Sequence, residues 1–203
     1  MGPPPQTLTL PGMAHTPPWE RICIQTERLV LRAPTVEDAG AMHELFADPA
    51  VMQGLNREPV SDLDDSRAMI ERGLDGWRSD GLGPFVLETV ADGRVAGWAG
   101  VMIFDTRGWT PSSWTRAGNH AQPELGWALM RRHWGFGYAT EAAGAIRDWT
   151  YASRPIDGLV SLISPSNVRS QRVARRLGAT PAATVTPADT MLETVVWRHS
   201  PPT

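Results

Sequence analysis

The spacing of apolar side chains changes several times along the chain, and each change predicts a new element. Residues 26–32 alternate apolar and polar positions, which predicts a first strand. Residues 62–78 instead carry their apolar side chains at helical spacing. The same criteria predict the remaining elements: helices at 35–47, 139–151 and 167–177, and strands at 85–90, 94–104, 124–130, 158–163 and 192–197.

The order of these elements predicts a mixed α/β (α+β) fold in which helices cover one sheet. Residues 91–93 (Ala-Asp-Gly) join two strands and predict a hairpin. Residues 105–122 form a long polar insert that contains Trp114 and His120, a length typical of functional lids or mobile loops. Within strand 124–130 the pattern places Leu125, Trp127 and Leu129 on one face, and Glu124, Gly126 and Ala128 on the other.

Composition narrows the class of protein. The chain has 203 residues, 41% hydrophobic and 20% charged, which predicts one soluble globular domain, over residues 21–199. A net charge of −3 argues against nucleic acid as a partner, because phosphate neutralisation needs a basic face. The single cysteine, Cys23, excludes an internal disulfide framework and the usual multi-cysteine zinc patterns, so we expect no metal.

The two ends of the chain predict the limits of the folded domain and the cellular location of the protein. Residues 1–20 are rich in proline and lack the basic start and unbroken apolar segment of an export signal, so we expect a flexible tail, with Met13 as an alternative start. Residues 200–203 are expected to be equally loose. No apolar run reaches the ~18 residues of a membrane span. We therefore expect a cytoplasmic protein with no membrane partner.

The most informative feature is a pair of glycines, Gly135 and Gly137, between a predicted strand and a predicted helix. Glycines at such a turn let the backbone bend sharply and approach a ligand, while the helix start offers free N–H groups to an anion. The run lacks the Gly-Lys-Ser/Thr ending of a nucleotide P-loop and the third glycine of the dinucleotide fingerprint. A second polar turn and helix follow at residues 166–178.

These two motifs together resemble a known family. Residues 124–142 (Glu-Leu-Gly-Trp to Trp-Gly-Phe-Gly-Tyr-Ala-Thr-Glu-Ala) and 167–178 (Asn-x-x-Ser-x-x-Val-Ala-x-x-Leu-Gly) are similar to the GCN5-related N-acetyltransferases (GNAT superfamily), and most of all to the RimJ/RimL-like branch that acetylates ribosomal-protein N-termini. The resemblance implies the GNAT fold, a mostly antiparallel twisted sheet of about six to seven strands flanked by helices. Two strands, ending near Met130 and Ile163, would splay apart to admit acetyl-CoA.

The resemblance also implies the acetyl-CoA-binding residues. The family motif Q/R-x-x-G-x-G/A corresponds to residues 134–139, with Trp134 in place of Gln or Arg; residues 132–137 fit the same letters in another register, and we prefer the one that ends at Ala139. Asn167 would hydrogen-bond the pantetheine arm or a neighbouring backbone group, and Ser170 would lie near the thiol or phosphates; a helix N-cap and a surface position are their alternatives. The expected contacts are Leu129, Met130, Trp134, Gly135, Phe136, Gly137, Tyr138, Ala139, Thr140, Asn167 and Ser170.

The expected chemistry is attack of a neutral amine on the thioester. A lysine amine has a pKa of about 10.4 and an N-terminal amine about 8, so the enzyme must remove a proton. Glu124 is the candidate base, acting through water, although an exposed strand carboxylate is the alternative. The predicted helix 167–177 lacks the tyrosine that many family members use as general acid, which leaves Ser170 as a weak substitute. Glu141 is interpreted as a helix-start charge.

The expected function is therefore N-acetyltransfer from acetyl-CoA to a primary amine by direct attack in a ternary complex. The acceptor is either a protein N-terminus or a small-molecule amine, and its pocket is expected between residues 37–78, the insert and the last strands. Two alternatives stay open: a non-catalytic sensor of acyl-CoA, and an acyltransferase acting on an antibiotic-like amine. Family habit implies a homodimer.

Overall fold

The structure is a computed structural model, which describes Gln6–Thr7 and residues 17–202. Its strands form one sheet in the order β1-β2-β3-β4-β5-β7-β8-β10-β9, with β6 paired to β5 alone. The strands are β1 (Gln6–Thr7), β2 (Cys23–Gln25), β3 (Leu29–Arg32), β4 (Pro84–Thr89), β5 (Val95–Asp105), β6 (Thr110–Pro111), β7 (Ala121–Leu129), β8 (Leu159–Ile163), β9 (Thr180–Val185) and β10 (Thr194–His199).

The helices begin where the local sequence caps them. Asp48 accepts the Ala50 N–H at 2.9 Å and starts a short helix at Pro49 that the pattern did not predict. Asp62 caps the longest helix in the same way, and this helix ends at Gly81 with φ +64°. The helices are α1 (Ala39–Phe46), α2 (Pro49–Gly54), α3 (Leu63–Asp80), α4 (Trp114–Ala117), α5 (Tyr138–Ser153) and α6 (Val168–Arg176).

The predicted fold class is confirmed. Among the described residues every strand pair is antiparallel except β7 with β8, and helices flank the sheet. The described sheet has ten strands rather than six or seven. The additional strands are short or lie at an edge, where one side of the strand has no apolar neighbour to impose a pattern. β9 is the longest of them, and its residues are almost all exposed.

The core is divided between the two faces of the sheet. On one face α5 buries Ala142, Ala143 and Ile146 in a cluster that includes alternate residues of β7 (Leu125, Trp127 and Leu129). On the other face α1, α2 and α3 pack over a second cluster that includes Ala128 and Met130. The predicted division of residues 124–130 between two faces is confirmed. β7 therefore lies at the centre of the molecule, between both layers.

The N-terminal segment and the insert are more regular than the sequence predicts, whereas residues 200–202 lie in no helix or strand. Most of the predicted tail lies outside the described residues, but Pro18–Arg21 is a 3₁₀ helix and Trp19 stacks on Trp77 with ring centroids 6.2 Å apart. The insert contains β6, α4 and the first residues of β7, so it is not one long loop. No helix in the described part of the chain has the length and apolar character needed to cross a membrane.

Candidate active site

The candidate site lies where β7 and β8 separate. These parallel strands are in register at one pair, Glu124 with Val160. Beyond it, side chains rather than ladder bonds connect them: Ser161 Oγ donates to the Leu125 carbonyl at 2.6 Å, and the Leu162 N–H donates to Glu124 Oε1 at 3.1 Å. Both contacts occupy groups that would otherwise pair in the sheet, so a gap opens toward the carboxyl ends of the strands. The predicted splay is present.

A buried histidine supports this separation from the far side of β8. His199 Nε2 lies 2.9 Å from Ser161 Oγ. Because the single Ser161 proton is donated to Leu125, Ser161 accepts a hydrogen bond from His199 Nε2–H. Burial lowers the pKa of His199 to about 4, so the ring is neutral in this role at neutral pH.

The edge of β7 that borders the gap presents backbone groups of alternate residues. The Met130 N–H donates to the Ala96 carbonyl on β5 at 2.9 Å. Since antiparallel pairing alternates along a strand, the peptide groups of Trp127 and Leu129 point away from β5 and toward the gap. Trp134 Nε1 donates to the Leu129 carbonyl at 2.8 Å. The Leu129 N–H and both Trp127 groups are thus directed at the gap, whereas Met130 lies in the core.

The glycine turn follows β7 and starts α5. Gly135 and Gly137 have φ values of +85° and +84°, the left-handed region that side chains with a Cβ avoid. An added Cβ at Gly135 would meet nothing within 4 Å, so backbone conformation, not space, requires glycine there. Gly137 is the N-cap of α5, and the amides of the first turn of that helix have no intrahelical partner.

A carboxylate on α5 fixes the conformation of this turn. Glu141 Oε1 accepts from Thr26 Oγ1 (2.6 Å) and from the Arg28 N–H (2.8 Å), while Glu141 Oε2 accepts from Arg28 Nε (2.7 Å). Arg28 also donates through NH1 to the Phe136 carbonyl at 2.8 Å. With that carbonyl held by Arg28, the peptide planes of the glycine turn are fixed. No local pattern predicts this contact, since residues 28 and 141 lie 113 positions apart.

The start of α6 closes the opposite side of the gap. Asn167 Oδ1 accepts the Ser170 N–H at 3.0 Å as a helix N-cap, and its Nδ2 donates to the Gly54 carbonyl at 2.8 Å. The guanidinium of Arg169 stacks over the Trp134 ring, 4.0 Å from its centroid. These contacts connect α6 to α2 and to the glycine turn.

A cavity of about 620 Å³ lies between these walls, and we name it the turn cavity. Its lining includes nine of the predicted cofactor contacts: Leu129, Trp134, Gly135, Gly137, Tyr138, Ala139, Thr140, Asn167 and Ser170. Phe136 lies outside it, 60% exposed and stacked on Tyr138, and Met130 lies outside it in the core. Arg169, Arg172 and Arg176 add positive charge to the lining.

The lining of the turn cavity suits a phosphate-bearing ligand. Thr140 Oγ1 and His133 Nε2 are buried without a hydrogen-bond partner among the described residues. Free amides at a helix start, nearby arginines and Cβ-free glycines are the groups that a pyrophosphate requires. The residues present therefore fit coenzyme A. Within the described residues, no cluster of three or more His, Cys, Asp or Glu side chains could hold a metal ion.

Glu124 lies on the other side of the gap and is buried, contrary to the exposed alternative. Its side chain lies at the pair where β7 and β8 last meet, and 6% of the residue is exposed. Burial raises the pKa of Glu124 to about 7, against the opposing effects of the Leu162 N–H and the charge of Arg57. A carboxyl with this pKa changes its charge near neutral pH, which is a property expected of a general base.

A second cavity, of about 510 Å³, contains Glu124 in its wall, and we name it the Glu124 cavity. Residues of α1, α2, α3, the insert and the last strand line it, which are the regions predicted to form an acceptor pocket, and the segment before β10 adds to them. From the insert, Trp109 and Arg116 contribute, whereas Trp114 and His120 do not. The two cavities share five lining residues: Gly54, Leu55, Trp127, Asn167 and Ser170. They therefore adjoin at the gap beside Glu124.

Comparison with known proteins agrees with this geometry. A family model described as the acetyltransferase (GNAT) domain matches residues 28–180. A Bacillus licheniformis protein named uncharacterized N-acetyltransferase p20 is 27% identical over 154 residues, which cover 76% of this chain and 80% of the relative.

Solved structures show the same fold. An acetyltransferase from Agrobacterium tumefaciens superposes with a TM-score of 0.71 at 28% identity and covers 94% of this chain and 99% of its own. RimL, a ribosomal L7/L12 alpha-N-protein acetyltransferase solved in complex with coenzyme A, superposes with a TM-score of 0.69 at 17% identity and covers 87% of this chain and 96% of its own.

Proposed function

The chain belongs to the GNAT acetyltransferase family and is an acetyl-CoA-dependent N-acetyltransferase, and we propose that its acceptor is a primary amine bound beside Glu124 in a ternary complex. One observation carries the proposal. The Glu124 cavity and the turn cavity share Trp127, Asn167 and Ser170, so an amine in the first is adjacent to a thioester in the second. Holding both reactants at this junction supplies much of the rate acceleration.

In this proposal the turn cavity binds acetyl-CoA. The backbone amides of residues 135–140 hold the pyrophosphate, and the Trp127 and Leu129 peptide groups bind the pantetheine arm as an added strand would. The Leu129 N–H also polarises the thioester carbonyl, since it is directed at the gap and its own carbonyl is engaged by Trp134. Asn167 contributes by fixing both the start of α6 and the end of α2.

Glu124 accepts the proton of the attacking amine, directly or through one water. An ammonium group of pKa about 8 to 10.4 cannot attack until it is deprotonated. A carboxylate of pKa about 7 retains enough basicity to take that proton and is ionised just above neutral pH. Gly126 leaves the second oxygen of Glu124 accessible, because a Cβ at that position would stand 3.3 Å from Oε2.

Ser170 is proposed to donate a hydrogen bond to the departing sulfur. It lines both cavities, and α6 carries no tyrosine. A thiol with a pKa near 8.5 is a fair leaving group, so a weak donor is sufficient.

Calorimetric titration of the purified protein with acetyl-CoA, with ATP and NAD as controls, tests the donor half of the proposal. We expect selective binding of acetyl-CoA. Release of coenzyme A on addition of a panel of amines tests the acceptor half. A folded protein that binds acetyl-CoA and releases no coenzyme A with any amine would be a sensor of acyl-CoA, and the catalytic proposal would be wrong.

Finer features of this proposal follow partly from the resemblance and partly from the composition and charge of the chain, and they are tested separately. They are membership of the RimJ/RimL-like branch, a homodimer, a cytoplasmic location, and the absence of nucleic-acid and membrane partners. Light scattering on the purified protein tests the dimer, and assay with ribosomal-protein N-terminal peptides tests the branch.

A further inference from the structure

The wall of the Glu124 cavity is mainly apolar. Aromatic and methionine side chains from five elements and the insert contribute to it, among them Met42, Met69, Trp98, Met102, Trp109 and Trp127. A polar group that is buried against such a wall without a hydrogen-bond partner loses its hydration without compensation, which weakens binding. The body of a ligand that fills this cavity is therefore apolar.

Most acidic groups in the same wall are already occupied. The four carboxylates that the described residues contribute to it all have a partner: Asp75 with Arg78 at 2.9 Å, Asp80 with the Trp114 N–H at 2.9 Å, Asp189 with Arg57 at 3.6 Å, and Glu124 with the Leu162 N–H at 3.1 Å. Glu124 alone among them is buried, and within the described residues its Oε2 accepts no hydrogen bond and it forms no ion pair. The cavity thus offers one buried carboxylate to one amino group.

The remaining charges in the wall are positive. Arg72 and Arg116 line the cavity, and neither forms an ion pair with a carboxylate within the ranges that the structure describes. Arg116 Nε donates to the neutral Ser113 Oγ at 3.3 Å. A ligand with several ammonium groups would meet these two positive charges and only one buried carboxylate, so charge complementarity inside the cavity disfavours polycations.

The space next to Glu124 is narrow, and a glycine creates it. An ideal Cβ at Gly126 would stand 3.2 Å from the ring of Trp98, 3.2 Å from Met102 Cε and 3.3 Å from Glu124 Oε2. The carboxylate is therefore approached between an indole and a thioether. Both side chains suit the methylene or aromatic carbons that follow an amino group.

We infer that the acceptor is a monoamine whose amino group is attached to an apolar, preferably aromatic, body; this inference rests on the proposed function of the Glu124 cavity. The same chemistry is offered by a free arylalkylamine and by a peptide with an apolar first residue. Polycationic amines, including antibiotic-like aminoglycosides, are poor acceptors.

Initial rates of coenzyme A release test this inference at one acetyl-CoA concentration. The acceptors are phenylethylamine, tryptamine, matched peptides that begin with Phe or Asp, spermidine and kanamycin. We expect kcat/KM for the preferred apolar acceptor, either the free amines or the Phe peptide, to exceed that for the polycations by about 100-fold. If the acceptor is a peptide, the Phe peptide should also be preferred over the Asp peptide. The free-amine and peptide arms distinguish the two sources of the apolar acceptor.

Two results would contradict different claims. Polycations turned over as well as or better than apolar amines would overturn the inference and leave the acetyltransferase proposal intact. No turnover with any acceptor, while acetyl-CoA still binds, would overturn the proposed function itself.

A variant locates the amine within the cavity. Gly126→Ala fills the space beside Glu124 and should raise KM for tryptamine about tenfold while the Kd of acetyl-CoA stays unchanged. Gly40→Ala is the matched control, because a Cβ at that position, in α1 and outside both cavities, meets nothing within 4 Å. Equal KM values for the folded Gly126→Ala protein and the wild type would show that the amine does not enter there.

Discussion

The turn cavity and the Glu124 cavity adjoin, yet they are built in different ways. The turn cavity is formed largely by two chain segments, 127–140 and 166–176, and its distinctive groups are backbone amides at a helix start. The Glu124 cavity is formed by side chains from helices, strands and loops spread over residues 34–194. A backbone site depends on a few glycines in a row, whereas a side-chain site depends on how distant elements pack. The first is readable in a sequence, and the second is not.

The sharpest test of this division is Glu124→Gln, which should affect one cavity alone. Loss of the proton acceptor should lower kcat by about 100- to 10,000-fold. The Kd of acetyl-CoA should not change, because Glu124 lines only the second cavity. In the wild type, kcat/KM should rise with pH through about 7, as Glu124 ionises, and this inflection should be absent from the variant.

Either of two results would contradict this assignment. A parallel loss of acetyl-CoA affinity would mean that the cavities are not functionally separate, and unchanged turnover would remove Glu124 from the mechanism.

The same variant should be more stable than the wild type at alkaline pH. Burial raises the pKa of Glu124 from 4.5 to about 7 in the folded protein, so the folded state binds the proton more tightly than the unfolded state. The stability that this proton provides is complete below pH 4.5 and is lost as pH rises through 7. Removing the charge should therefore gain about 3 kcal/mol at pH 8, roughly a hundredfold in the unfolding constant. Urea unfolding at pH 5 and pH 8 measures this, and an equal difference between the proteins at both pH values would contradict it.

Gly137→Val should affect the other cavity. A β-branched residue resists the φ of +84° observed there, so the turn must change its conformation and withdraw its amides from the ligand. We expect acetyl-CoA affinity to fall by about 100-fold, equivalent to about 2.7 kcal/mol. Calorimetry on the folded variant measures the loss, with Gly40→Ala as control. Unchanged affinity would mean that the turn is not the phosphate site.

Glu141→Gln should produce a smaller change of the same kind. The amide can no longer accept from Arg28 through both oxygens, so the Phe136 carbonyl is less firmly held. The contact of Glu141 with Arg28 affects the ligand only by holding the glycine turn, so its loss should weaken acetyl-CoA binding by about tenfold.

Asp64→Asn is the control for Glu141→Gln, since Asp64 is also a first-turn acid paired with an arginine, at 2.6 Å from Arg67, but lines neither cavity. If both variants lost affinity equally, or if Glu141→Gln lost stability without losing affinity, the contact of Glu141 with Arg28 would have a structural role only.

The sequence by itself determined the features that depend on local geometry. The alternation of residues 124–130 gave the two faces of β7, the glycines gave the turn before α5, and Asn167 gave the cap of α6. Each is decided within a few residues, because a strand has period two, a positive φ favours glycine, and an N-cap bonds three residues ahead.

Only the tertiary structure decided the features that join distant residues. β9 could not be predicted because an exposed edge strand carries no apolar alternation, and its Pro181 is tolerated only at such an edge. Elements that precede β7 in the sequence and elements that follow it pack around Glu124. Their packing buries Glu124 and thereby raises the pKa of its carboxyl. The contact of Glu141 with Arg28 joins residues that lie 113 positions apart in the chain. Desolvation and charge pairing depend on which residues are close in space, and local sequence patterns do not predict this for residues far apart in the chain.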